Sequence, residues 1–207
     1  MEHQLIISIG REFGSGGHEI AEKLALHYNI PLLDQNLLDE IAKEKEVNVD
    51  SLKEMDEKYT NKLFRRTIRG FSSSPQDNVA MMQFEYLQNK AKQGDSFVIV
   101  GRCSEDVLKD CKYMVSIFVL GSKEVKRERV MKLYDLNEFM AERLMHEADT
   151  KRKRYHNDFC EGKWGDSRNY HISVNSSLLG IEETTKILIN FIDCFCNSSD
   201  HKQSLAQ

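Results

Sequence analysis

The chain has 207 residues, a length that suits one domain with a substantial hydrophobic core. Its 33 acidic and 29 basic side chains give a formal net charge of −4, which excludes the overall basic surface of a typical nucleic-acid-binding protein. No stretch is long and apolar enough to cross a membrane, and the N-terminus lacks the features of a signal peptide. The five cysteines are odd in number and have no C-x-x-C spacing, which favours reduced thiols in the cytoplasm.

Strand and helix patterns alternate along the chain. An apolar run at 5–9 predicts a buried strand, and an apolar face from about 18 to 28 predicts a helix. Further short apolar runs predict strands at 31–33, 97–100, 113–120 and 171–174. Further helical patterns lie at 35–46, 49–69, 79–92, 122–134, 137–159 and 180–195. Five strands separated by helices predict an α/β fold, in which a five-stranded parallel sheet carries helices on both faces.

The organisation along the chain is that of a single domain. We expect this domain to span residues 1–196, because the turn-rich segment at 72–78 is the only such break inside it. Residues 197–207 form a polar tail, which we expect to be disordered.

A glycine-rich loop, residues 10–17 (G-R-E-F-G-S-G-G), joins the first strand to the first helix. It stands where a phosphate-binding loop of the form G-x-x-x-x-G-K-[ST] would stand, but it contains no lysine. The first N–H groups of a helix have no partners within the helix, and glycines let the backbone close around an anion. The pattern therefore predicts a phosphate site at Gly14, Ser15, Gly16, Gly17 and His18. The alternative is a plain turn that binds nothing.

The register of this loop on the motif is open. If Gly16 takes the place of the second motif glycine, Gly17 replaces the lysine and His18 replaces the magnesium-binding hydroxyl. If Ser15 takes that place, the second glycine is lost. Arg11 is the nearest cation in either register, and we predict that it supplies the missing charge, although its planar fork is not equivalent to a lysine. A structural arginine at the strand end is the alternative.

Charged residues also follow the next two predicted strands that end near the loop. Asp34 comes directly after the strand at 31–33, and Arg102 follows a glycine after the strand at 97–100. Ligands of parallel sheets bind at the carboxyl ends of strands, so we expect both residues beside the loop. Arg102 is predicted to bind phosphate through its planar fork, or else to form an internal ion pair. Asp34 is predicted to orient a ligand or a metal ion, or to cap the next helix.

The helix predicted at 137–159 carries a run of basic residues at 151–154. Asp149 and Arg152 lie three residues apart and share a face of this helix. The run sits between the last two strands, where a lid would be inserted, so we predict a lid at about 136–165 rather than a solvated charged face. A second basic cluster is interpreted as solvated surface: Arg65, Arg66 and Arg69.

Three segments taken together resemble the cytidylate kinase-like family, a bacterial branch related to the nucleoside monophosphate kinases. They are the loop at 10–17, I-P-L-L-D at 30–34 and V-I-V-G-R at 98–102. The stretches at 149–155 and 164–166 extend the resemblance into the second half of the chain. That family's R-E-x-G-S-G-G loop lacks the lysine as a family trait. True cytidylate kinases carry a lysine in the loop and an acidic residue after the G-R pair, where this chain has Gly17 and Cys103.

The resemblance implies a P-loop kinase fold with a helical lid, and phosphoryl transfer from ATP, with Mg²⁺, to a nucleoside monophosphate such as CMP or dCMP. Arg11, Arg102 and Arg152 are the catalytic candidates, the first two from their positions at strand ends. For Arg152 the resemblance adds that the family's matching arginine faces phosphate. Asp34 and Asp149 join the loop as nucleotide-binding candidates. A nucleotide-binding regulatory module and a kinase for a non-nucleotide small molecule are the alternatives. The pattern identifies neither the metal ligands nor the oligomeric state.

Overall fold

The computed structural model describes residues 3–34, 36–45, 48–57, 67–68, 71–72 and 74–204. Its strands are β1 (Ile6–Arg11), β2 (Leu32–Leu33), β3 (Thr67–Ile68), β4 (Phe71–Ser72), β5 (Phe97–Val100), β6 (Met114–Leu120) and β7 (Ile172–Asn175). Five of them form a parallel sheet in the order β2–β5–β1–β6–β7, which confirms the predicted fold class.

Helices cover both faces of this sheet. They are α1 (Gly17–Tyr28), α2 (Leu37–Glu44), α3 (Val49–Glu57), α4 (Pro75–Lys92), α5 (Ser104–Val107), α6 (Lys123–Tyr134), α7 (Glu138–Phe159) and α8 (Gly180–Ser204). Successive side chains of a strand point to opposite faces. Ile7 accordingly packs with Leu24 of α1 and Leu188 of α8, whereas Ile6 packs with Leu37 of α2 and Leu87 of α4. The central strands are therefore buried on both sides, as their continuous apolar sequences require.

The segment between α3 and α4 differs from its predicted form. A helix is predicted at 49–69, and the structure describes it over Val49–Glu57, whereas Thr67–Ile68 pairs in antiparallel fashion with Phe71–Ser72. Threonine and isoleucine are β-branched and aromatic residues favour strands, so local preference opposes the charged helical pattern here. Residues 58–66, 69–70 and 73, which include Arg65, Arg66 and Arg69, lie outside the described residues.

Two helices begin or end at other positions than predicted. Helix α4 begins at Pro75 rather than near residue 79, because proline fits the first turn of a helix, where no N–H partner is needed. Helix α8 continues to Ser204, eight residues into the segment predicted as a disordered tail. This segment contains neither glycine nor proline, so nothing stops propagation from the packed part of the helix. Within the described residues, no helix combines the length and apolar character that spanning a membrane requires.

The glycine-rich loop is held in place by side chains from α6 and α7. The Glu12 carboxylate accepts a hydrogen bond from Lys126 Nζ of α6 at 2.7 Å and another from the Gly121 N–H at 3.2 Å. The Asp149 carboxylate of α7 accepts the Phe13 N–H at 2.7 Å and lies 4.0 Å from Lys126 Nζ. One lysine thus links two carboxylates, and both helices are tied to the loop.

The loop also approaches α6 closely at a glycine. Gly14 has a φ of +81°, and a Cβ there would lie 2.9 Å from the Lys126 carbonyl oxygen and 2.9 Å from Val130 Cγ2. These distances are shorter than packed atoms tolerate. Gly14 is therefore required both by its backbone conformation and by the helix beside it.

We expect Gly14→Ala to lower the free energy of unfolding by about 2–4 kcal/mol, from backbone strain of roughly 1–2 kcal/mol plus crowding against α6. Gly94→Ala is the matched control, because Gly94 has a φ of +86° but nothing within 4 Å of an added Cβ. The control should lose only the strain energy. Urea denaturation of both variants measures the difference, and equal losses would contradict the close approach.

We expect Lys126→Met to lower the free energy of unfolding by about 3 kcal/mol, because it leaves two carboxylates without their shared cation in a largely buried position. The Lys126 side chain is 11% exposed. Lys123→Met is the control, since Lys123 of the same helix is 62% exposed and pairs at the surface with Glu142 of α7. Adding Glu12→Gln to Lys126→Met should recover part of the loss. A loss in Lys126→Met no larger than in the control argues against this role.

Candidate active site

A cleft of about 610 Å³ opens at the carboxyl ends of the strands, between the end of β1, the turn after β5 and helix α7. Its volume is within the range of small-molecule sites. Residues predicted from separate parts of the sequence line it together: Arg11, His18, Asp34, Arg102 and Arg152. The parallel sheet brings them together because its strands all end at the same edge.

Three guanidinium groups influence one another in this cleft. Burial, together with the positive charges of Arg152 and Arg102, lowers the pKa of Arg11 to about 9. Burial also lowers the pKa of Arg152, against the opposing effect of Asp149. Positive charges that are crowded and poorly solvated are costly, and an incoming anion relieves that cost. Asp34 and Asp149 offset part of the positive charge at Arg11, and an anion between the three arginines would offset more.

Arg102 follows a sharp turn after β5. Gly101, Arg102 and Cys103 have φ angles of +78°, +60° and +55°, a run of left-handed conformations that is costly for the two residues with side chains. Arg102 donates from one nitrogen to both oxygens of Asp56, at 2.9 and 3.1 Å, and its Cζ lies 5.8 Å from the centre of the Tyr155 ring. Burial opposes the charge, but Asp56 outweighs it and raises the pKa of Arg102. The internal ion pair considered for Arg102 is therefore present.

Arg152 reaches the cleft from α7. It donates to the Arg11 carbonyl oxygen at 3.3 Å and lies 3.5 Å from Asp149, and its Cζ is 5.2 Å from the centre of the Phe13 ring. Asp149 itself contacts the loop through the Phe13 N–H, and burial raises its pKa. The predicted pairing of Asp149 and Arg152 on one helix face is present, and Asp149 acts on the loop backbone.

Arg11 packs against Gly17, the position at which the preferred register puts the missing lysine. A Cβ added at Gly17 would lie 2.6 Å from Arg11 Cβ and 3.2 Å from Arg11 Cγ. A lysine at Gly17, where the preferred register puts it, therefore does not fit beside Arg11 in this backbone. The two positions are coupled by packing: Arg11 fills the space against the start of α1, and Gly17 leaves that space open.

Ser15 forms hydrogen bonds within the protein, whereas Gly16 and Gly17 lie at the start of α1. The Ser15 hydroxyl donates to the Glu12 carbonyl oxygen at 2.8 Å, and the Ser15 carbonyl accepts Ser176 Oγ at 2.6 Å. The hydroxyl that the sequence offered as a phosphate ligand thus closes the loop. Gly16 has a φ of +77° and precedes Gly17, the first residue of α1, so the first N–H groups of the helix start here.

His18 and Asp34 lie together at one side of the cleft. His18 Nε2 is 3.6 Å from Asp34 Oδ2 and 3.4 Å from Glu22 Oε1. Asp34 Oδ1 accepts the Asn36 N–H at 3.3 Å, so it supports the turn before α2 without being the cap residue, which is Asn36. Asp34 therefore lines the cleft and also stabilises the turn before α2.

A second pocket, of about 310 Å³, lies on the other side of the glycine loop. Gly14 and Ser15 of the loop line it, together with Arg129 of α6 and Ile181 of α8. Arg129 is held there by an ion pair with Glu19 of α1. Residues of the glycine loop thus line two separate pockets.

Sequence reasoning missed three residues that shape this site. Glu12 was visible inside the loop, but its partner Lys126 lies 114 positions away and carries no signal of its own. Asp56 belongs to a charged helical pattern whose acidic residues look alike in sequence. Each of these contacts depends on how distant segments meet.

Comparison with known proteins agrees with this geometry. An uncharacterised protein from Eubacterium ventriosum is 41% identical, covers 92% of this chain and 99% of its own, and superposes with a TM-score of 0.74. A shikimate kinase from Bacteroides thetaiotaomicron is 13% identical over 91% of this chain and 98% of its own, with a TM-score of 0.54. A sugar kinase from Janibacter sp. HTCC2649 is 14% identical over 92% and 95%, with a TM-score of 0.53.

The last two similarities concern the fold alone, which is that of P-loop kinases. No curated protein sequence matches the chain. The model of the cytidylate kinase-like family, in contrast, matches residues 6–178, which include the glycine loop, the G-R turn after β5 and the basic part of α7. The chain belongs to the cytidylate kinase-like family.

Proposed function

We propose that the protein transfers a phosphoryl group from ATP to a nucleoside monophosphate, with CMP or dCMP as the preferred acceptor. Family membership and the kinase fold support phosphoryl transfer as the class of reaction. The observation that carries the proposal is the convergence of Arg11, Arg102 and Arg152 in one cleft at the carboxyl ends of the strands.

The chemistry of phosphoryl transfer calls for this kind of site. Negative charge is spread over the oxygens of the transferred group, so the protein contributes positioning and charge stabilisation rather than covalent chemistry. Arg11 suits this role because its pKa is lowered to about 9 by burial and by two other arginines. Phosphate oxygens bound between the three guanidinium groups would replace the repulsion between these groups by attraction to the phosphate.

Arg11, His18 and Arg102 all line the larger cleft, and we propose a division of roles within it. The donor phosphates would lie on the loop, with the N–H groups at Gly17 and His18 and the Arg11 guanidinium in place of a lysine. The acceptor would lie in the same cleft beside them, with its phosphate at Arg102. Asp34 fits a magnesium ion, because it is a carboxylate at a strand end beside the loop, and Mg²⁺ is usually held by one or two carboxylates plus phosphate oxygens. Bound Mg²⁺ would neutralise phosphate charge.

Helix α7 is proposed to act as the lid, within the predicted segment 136–165. At its centre, Asp149 and Arg152 contact the loop and Arg11. Towards its end, Tyr155 and Phe159 pack in a cluster that includes Phe84 and Cys103. The helix therefore spans the cleft from the phosphate loop to the acceptor side, so a shift of α7 would admit ligands and its return would exclude water.

Aromatic side chains favour a planar acceptor. Tyr155, Trp164 and Tyr170 line the cleft, and the Trp164 ring packs edge-on against Phe118 with centroids 5.4 Å apart. A nucleobase needs an apolar planar surface of this type next to a phosphate site. We also propose a cytoplasmic location, which the free thiols of all five cysteines support.

A kinase for a non-nucleotide small molecule is the second candidate, and the ion pair between Arg102 and Asp56 favours it. Asp56 neutralises part of the charge that an acceptor phosphate would use, and its carboxylate is a good partner for a hydroxyl group. The fold neighbours described as shikimate and sugar kinases act on acceptors of this kind, as their descriptions state.

The acceptor is identified by coupled ADP-release assays with ATP and Mg²⁺ over CMP, dCMP, UMP, AMP, GMP, shikimate and common monosaccharides. We expect turnover with CMP and dCMP and much less with the others. Turnover with shikimate or a sugar alone supports the second candidate. ATP binding by calorimetry without turnover for any acceptor supports the regulatory module instead, and refutes the kinase.

We expect Arg152→Ala to lower kcat by about 100-fold or more with the accepted substrate, because it removes a cation that acts where charge develops. Arg143→Ala is the matched control: Arg143 lies on the same helix, is 63% exposed and pairs with Glu147 away from the cleft. The control should stay within about twofold of the unmodified protein. Equal activity of the two variants, with folding verified by circular dichroism, would remove Arg152 from the mechanism.

A further inference from the structure

A compact group of metal-binding side chains lies beside the cleft, where α5 meets the end of α7. Glu105 belongs to α5, His156 lies in the last turn of α7, and Cys160 directly follows that helix. One ligand atom from each of the three lies within 4.8 Å of the other two. None of the roles proposed for phosphoryl transfer uses these residues.

The group is buried and closely spaced. Glu105 and His156 are 8% and 5% exposed, and His156 Nε2 lies 2.6 Å from Glu105 Oε1. The His156 ring also interacts with the Cys160 thiol. The carboxylate, the imidazole and the thiol are therefore already brought together where water is largely excluded, so little rearrangement is needed to close them around an ion.

The donor types select among metals. A thiolate, an imidazole and a carboxylate are the ligands of zinc, whereas magnesium and calcium take oxygen ligands and keep away from thiolates. The spacing is also suitable, because His156 and Cys160 lie four residues apart at a helix end and so face the same side. Cys103 packs in the same cluster as Cys160 and is the neighbouring thiol for a fourth position.

We propose that Glu105, His156 and Cys160 form a zinc site that joins α5 to the end of α7. Zinc binding would replace the proton of the Cys160 thiol and any proton on the imidazole nitrogen that binds, and these protons would be released to solvent. Since α5 follows directly after Arg102, the ion would fix the acceptor side of the cleft relative to the lid helix. The site would be structural and separate from any magnesium ion on the phosphates.

The test uses full-length protein that has been reduced and freed of metal with a chelator, then titrated with Co²⁺ as a coloured substitute for zinc. We expect one equivalent to bind, with a thiolate-to-cobalt charge-transfer band in the near ultraviolet that Zn²⁺ abolishes. Cys160→Ser should remove the band, and His156→Ala should weaken binding by about 100-fold, since each ligand carries a large share of the binding energy. Cys194→Ser, a change at an exposed cysteine, should leave the charge-transfer band and the affinity for Co²⁺ unchanged.

A second measurement needs no variant and no enzymatic activity, so its outcome is independent of the proposed kinase function. Zinc should slow alkylation of Cys160 in the unmodified protein, but not of the exposed Cys194, as measured on peptides by mass spectrometry. The proposal is overturned if zinc leaves the alkylation of Cys160 unchanged. It is equally overturned if folded Cys160→Ser retains the full cobalt band at one equivalent.

Discussion

The ion pair between Glu12 and Lys126 is the interaction on which the site depends. It joins the glycine loop to α6, and the same lysine lies 4.0 Å from Asp149, whose carboxylate holds the Phe13 N–H from α7. A loop rich in glycine has little stiffness of its own, because glycine loses much conformational entropy on folding. Charges supplied by two helices therefore hold a loop that its own sequence leaves flexible, and they set where α7 stands over the cleft.

The packing around Gly17 bears on the missing lysine of the loop. Arg11 occupies the space beside the start of α1, and Gly17 is small enough to let it do so. The guanidinium beside the start of the helix thus belongs to a residue of the strand. Burial and two neighbouring arginines lower its pKa, so the cleft without an anion is electrostatically unfavourable. Asp56 offsets the positive charge only at Arg102. The repulsion between Arg11 and Arg152 is left in place.

Local patterns predicted the elements well where packing agrees with them. The strands alternate with helices as expected, because a strand buried on both faces must be continuously apolar and each crossover needs a helix. The prediction failed at Thr67–Ile68, which was included in a helix because of the charged helical pattern around it, although these two residues favour extended structure. Nothing in the sequence indicates that the Ser15 hydroxyl donates to the Glu12 carbonyl oxygen within the loop.

Local sequence is enough to specify the sheet, the glycine loop at its edge and the charged residues at the strand ends, because these follow from backbone periodicity and from the direction of parallel strands. Which charged side chains pair with each other depends on tertiary contacts. Lys126 holds Glu12 from 114 residues away, Asp56 pairs with Arg102 across 46, and His156 meets Glu105 across 51. Such partners are chosen by which segments come within a few ångströms when the core closes, and no local pattern records that distance.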